Sequence, residues 1–120
     1  MAANAETRLT APGEVSVNSG AQAGAANISM AAAVGVRNYV QMATISASGT
    51  AAAGRVTITY TRGGATQTIG LQVPAANFSP IILNFGNHPL EGDENTAITL
   101  TCPTLGTTTE TSLIGFTRPI

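Results

Sequence analysis

His88, Cys102 and the acidic trio Glu91, Asp93 and Glu94 are the side chains here whose types could do chemistry. A zinc site needs three or four ligands at ligand spacing, and Cys102 is the only soft ligand besides His88. A serine or cysteine nucleophile needs a base, and His88 is the only imidazole. His88 therefore reads as a loop histidine in "NHPLEG", and no catalytic residue, metal ligand or cofactor is expected. Cys102 alternates with Leu100 and Ile98, the pattern of a buried structural thiol, and one cysteine excludes an internal disulfide. Three carboxylates in "LEGDEN" are of the type that holds Ca²⁺. The EF-hand pattern is absent, so an acidic turn between strands is expected. With no Trp and two Tyr, the aromatic platforms of a carbohydrate or glycosidase site have little support. Gly63-Gly64 reads as a turn and not as a phosphate cradle.

These side chains sit in a 120-residue chain, a length that suits one domain able to bury its own core. The net charge is −1 and 9% of residues are charged. Lysine is absent, and Arg8, Arg37, Arg55, Arg62 and Arg118 are scattered, so nucleic-acid binding is not expected. A monomer facing bulk water usually carries about a quarter charged residues. Either another protein covers much of this surface, or Thr, Ser and Asn solvate it. "MAANAETRLTAPGE" has neither a basic n-region nor an apolar h-region, and no apolar run nears the ~20 residues that span a bilayer. A product made in the cytoplasm, with no membrane association, is expected.

Residues 1–13 are small and polar and end at Ala11-Pro12-Gly13, which predicts an extended arm ahead of a domain over 14–120. Period-two alternation predicts strands in "EVSVN" (14–18), "NISMAAA" (27–33), "NYVQMATIS" (38–46), "IILNF" (81–85), "TAITLTC" (96–102) and "TSLIGFT" (111–117). The clearest unit is a hairpin. "RVTITYT" sets Val56, Ile58 and Tyr60 inward, Gly63-Gly64 supplies the turn, and "TQTIGLQV" returns with Ile69, Leu71 and Val73 inward. "PAANFSP", "GNHPLEGDEN" and "PTLGTTTET" read as connections. About eight short strands with no helix predict an all-β fold, a single antiparallel β-sandwich that is jelly-roll-like.

The strand from Asn38 to Ser46 places Val40, Met42 and Thr44 on one face and Tyr39, Gln41, Ala43 and Ile45 on the other. Neither face is polar, so both are internal to one sandwich, or one packs the core and the other meets a neighbour. Arg37 and Asn38, at its start, either pin the preceding loop or contact that partner.

The order of "GVRNYV", a Thr-rich hairpin, "ILNF", "PLEGDENTAITLTC" and a final "SLIGFT" resembles the small β-sandwich virion proteins of tailed bacteriophages, the group that includes capsid decoration (cement) proteins. The resemblance covers about residues 15–117. It implies a non-enzymatic structural protein, assembled in the host cytoplasm and placed on the capsid surface, which braces neighbouring major capsid subunits. It also implies a homo-oligomer, with a trimer expected ahead of a dimer. Tail, fibre-base or adaptor roles and a carbohydrate- or receptor-binding module are the alternatives. The residues expected to touch a partner are Arg8 and Leu9 in the arm, and Arg37 and Asn38.

Overall fold

Alternating apolar and small polar residues produce strands wherever the pattern runs unbroken, and glycines, prolines and acidic turns end them. The computed structural model describes residues 14–120, so the predicted arm, with Arg8 and Leu9, lies outside the described residues. Nine strands follow in chain order: β1 (Glu14–Asn18), β2 (Ile28–Met30), β3 (Val36–Ala47), β4 (Gly54–Arg62), β5 (Ala65–Val73), β6 (Ile81–Asn84), β7 (Leu90–Glu91), β8 (Ile98–Thr101) and β9 (Thr109–Pro119). One more strand than expected appears because β7, two residues within "GNHPLEGDEN", pairs with Tyr39 and Val40 of β3. No helix occurs among the described residues.

Every pairing is antiparallel. One sheet runs β1-β9-β3-β6, with β7 also on β3, and the other runs β2-β8-β4-β5. Four sets of pairings are nested, β4 with β5, β3 with β6 and β7, β2 with β8, and β1 with β9, and the β3–β9 and β4–β8 pairings join them into the two sheets. The two sheets share one core, to which β3 gives Val40, Ala43 and Ile45, β4 gives Val56 and Ile58, and β8 gives Ile98 and Leu100. The fold is thus β-sandwich-like. Leu105 and Ala51, both in connections, complete the core.

The hairpin β4–β5 follows the sequence closely. Its register is continuous from Gly54↔Val73 to Arg62↔Ala65. Gly63 and Gly64 take φ of 64° and 78°, the left-handed pair that a two-residue type I′ turn needs. Val56, Ile58 and Val73 are buried, while Tyr60, Ile69 and Leu71 pack at the core's margin.

The facing of β3 differs from the strict alternation. Its register with β9 passes from Val40↔Gly115 to Met42↔Ile114, leaving Gln41 unpaired in a β-bulge. The buried residues are Asn38 and Val40 before the bulge, and Ala43 and Ile45 after it. Met42 and Thr44 therefore lie on the outer face with Tyr39, and Ala43 and Ile45 face the core with Val40. The bulge carbonyl, Gln41 O, accepts a bond from the Phe85 N–H at 2.9 Å. Opposite it, the Tyr39 and Val40 main chain passes so close to Gly115 that a Cβ would overlap the Tyr39 carbonyl. The glycine of the terminal "GF" is a demand of this approach.

Candidate interaction site

The outer face of the β1-β9-β3-β6 sheet divides at the bulge. Beyond it, cross-strand registers align Asn18, Ser112, Thr44 and Ile82 in one row, and Ser16, Ile114, Met42 and Asn84 in the next. No residue in either row is charged. Ile82 is 59% exposed and Ile114 38%, and the Thr44 and Ser112 hydroxyls bond one another between them. Ile82, Ile114 and the half-buried Met42 form an uncharged patch set among Asn, Ser and Thr, and Glu110, opposite Ser46 in the following row, brings the next charge on this face.

Before the bulge the same face is charged and aromatic. Tyr39 and Phe116 are cross-strand neighbours, and their rings stack at 4.7 Å with 10° between planes. Arg37 and Arg118 are also directly paired across strands, an arrangement of like charges that costs energy unless each finds its own partner. Arg118 lies 5.5 Å from the Tyr39 centroid and 5.2 Å from that of Phe116, within cation–π range. Arg37 turns the other way, to Glu91 at 3.4 Å and Asp93 at 4.0 Å. Arg62, at the end of β4, reaches Glu91 at 3.2 Å, and the Tyr39 hydroxyl donates to the same carboxylate at 3.4 Å. At their exposure these ion pairs contribute up to about 1 kcal/mol each. Tyr39, Asn87, His88, Pro89, Glu91, Phe116 and Arg118 line an open cleft of about 430 Å³.

The acidic loop after β7 is a clip between the sheets. Asp93 accepts the N–H of Gly63 at 3.0 Å and of Gly64 at 2.8 Å, and so caps the hairpin turn of the opposite sheet. Those two N–H groups, the Gly64 bond first, and then the Arg37 and Arg62 charges, hold the Asp93 carboxyl below its ordinary value of 3.8. Glu94 accepts the Gly35 N–H at 2.8 Å. The three carboxylates thus bind main-chain N–H groups, guanidinium groups and a phenol. The described residues contain no group of three or more His, Cys, Asp or Glu placed to share a metal ion.

Of the residues singled out from sequence, Arg37 joins this clip and is part-exposed. Asn38 is 3% exposed. Its Nδ2 donates to Ala31 O at 3.0 Å, Thr96 O at 3.1 Å and Met30 O at 3.4 Å. Pinning the preceding loop is the role its contacts perform. His88 is exposed at the rim of the cleft. Cys102 is buried, and burial pushes its thiol pKa up. Sequence reasoning missed the Tyr39–Phe116–Arg118 stack. Its signal was an aromatic on each of two strands, but pairing them needs the β3–β9 register. No protein-family model matches this chain, and no curated protein or solved structure matches it either.

Proposed function

We propose that this chain is a non-enzymatic virion structural protein of a tailed bacteriophage, a decoration protein. It binds the outside of the head and braces neighbouring major capsid subunits. The nested pairings read as a jelly roll, in which one long folded ribbon of strands wraps into two facing sheets. The observation that carries the reading is the uncharged patch around Ile82, Met42 and Ile114 on the outer face. Exposed isoleucines in an uncharged patch, on a chain this poor in charge, favour cover by protein. At the other end Arg37, Arg62, Glu91, Asp93 and Glu94 are engaged with one another and with the main chain, which supports binding over catalysis. Arg8 and Leu9 extend the contact to the shell, and the protein assembles in the host cytoplasm.

Counting this chain per virion by mass spectrometry tests the reading. Hundreds of copies are expected, and a dozen or fewer would assign it to a tail, fibre-base or adaptor position instead. Ile82→Asp and deletion of residues 2–12 should each weaken binding to undecorated shells; full-affinity binding by both would refute the proposed contact. The cleft beside Tyr39 and Arg118 favours a second reading, a glycan- or receptor-binding module, because it sets a guanidinium, a carboxylate and ring edges around one opening. Binding of the isolated protein on a glycan array would favour that reading.

A further inference from the structure

Strand β5 is an open edge of the second sheet, and apart from the Arg55 guanidinium over Gly70 it lacks the devices by which edges are usually blunted. It is nine residues long, against three for β2 at the opposite edge and four and five for β6 and β1. Its sequence, ATQTIGLQV, contains no charge and no proline, and its register carries no bulge. Short length, charge, proline and bulges are the ordinary protections against edge pairing. The two-residue turn makes Arg62↔Ala65 a hydrogen-bonded pair, so Gln67, Ile69, Leu71 and Val73 also bond towards β4. The N–H and C=O groups of Thr66, Thr68, Gly70 and Gln72 therefore point away from the sheet, at residues that are all exposed.

We propose that β5 pairs antiparallel with β5 of a second copy, about a two-fold axis at Ile69, and joins two four-stranded sheets into one. In that register Thr68 bonds with Gly70 of the other copy and Thr66 with Gln72, and each bond is repeated by symmetry. All four outward-pointing residues are thereby satisfied. Between them Ile69 meets its own counterpart and Gln67 meets Leu71, so the half-buried Ile69 and Leu71 gain cover. The strand itself supplies the reason for a second copy as occupant. Its own residues carry no charge to oppose, and the Arg55 guanidinium that lies over Gly70 ends a flexible side chain able to swing clear of the seam. The two-fold also closes, leaving neither copy with β5 unpaired. The self-contact is then a dimer and not the trimer expected from sequence. It belongs to the isolated protein and does not rest on capsid binding.

Sedimentation velocity of the full chain at micromolar and higher concentrations is the first test, and a dimer is expected. Thr68→Pro removes an outward N–H and no bond of the monomer, so it should weaken association at least ~10-fold. Ile69→Cys places two thiols across the axis, at the ~5 Å spacing of a directly opposed pair. Mild oxidation should then give a disulfide-linked dimer, whereas Gln67→Cys should not cross-link. If Thr68→Pro fails to fold, the two cysteine variants decide alone. A monomeric or trimeric wild type overturns the proposal. So does an undiminished Thr68→Pro dimer, cross-linking at 67 in place of 69, or loss of the dimer on deleting residues 2–12.

Discussion

Replacing Gly115 with alanine adds one methyl group at the glycine where the main chain of another strand comes nearest. The added Cβ would overlap the Tyr39 carbonyl and come within 2.9 Å of its carbon and 3.0 Å of Val40 Cα. All three are main-chain atoms of β3, which is pinned by β9 on one side and by β6 and β7 on the other. No rotamer change relieves the clash, so the strands must separate at the bulge. Overpacking of side chains ordinarily costs about 1–3 kcal/mol, and a main-chain obstacle sets this case at about 3 kcal/mol or more. With m near ~2 kcal/mol/M, the urea midpoint should fall by about 1.5 M. The same addition at Gly70 meets only the Arg55 guanidinium, with Nε at 2.8 Å and Cζ at 2.9 Å. That group ends a flexible side chain and can swing into solvent, so Gly70→Ala should stay within about 0.5 kcal/mol of wild type. Urea denaturation of both variants is the assay. Equal shifts, or a loss at Gly115 below about 1 kcal/mol, would refute the close approach of β3 and β9.

Ile58→Ala, at a core position 1% exposed, should cost about 2–5 kcal/mol, and Thr59→Ala on the outer face should cost about 0.5 or less; urea midpoints compare them. Asn38→Ala should cost about 1–3 kcal/mol by thermal or urea unfolding, because it strands the carbonyls of Met30, Ala31 and Thr96. Asp93 has a lowered folded pKa, so its contribution is present above 3.8 and is lost as pH falls through the lowered value. The stability gap between wild type and Asp93→Ala should therefore be constant near neutrality and shrink in acid, as denaturant midpoints across that range would report.

Sequence reading succeeded where one local rule governed a whole element. The β4–β5 hairpin has unbroken alternation and a Gly-Gly turn, so its faces and register followed at once. On β3 the alternation was real but broken by one residue, and nothing local marks Gln41 as a bulge. The break is set by the Phe85 N–H and by Gly115, each more than forty residues away. Strand β7 is too short to have a period and exists only because β3 pairs with it. Leu105 and Ala51 are core residues in irregular chain, where no periodicity points inward. The acidic cluster was visible, but its role was not, because Asp93 caps a turn thirty residues earlier.

The nesting of the pairings also orders events in time. The β4–β5 hairpin joins residues adjacent in the chain and can close in microseconds. Each later nested pairing must bridge a wider loop, out to Glu14↔Phe116, and non-local closures are the slow ones. During synthesis β9, the strand that separates β1 from β3, is made after every other strand. Until it emerges, β1 has no strand to pair with and β3 lacks its partner on that side. The emergence of β9 thus decides when the first sheet can close, and synthesis halted just before it would hold out a product with one sheet closed and the other in pieces.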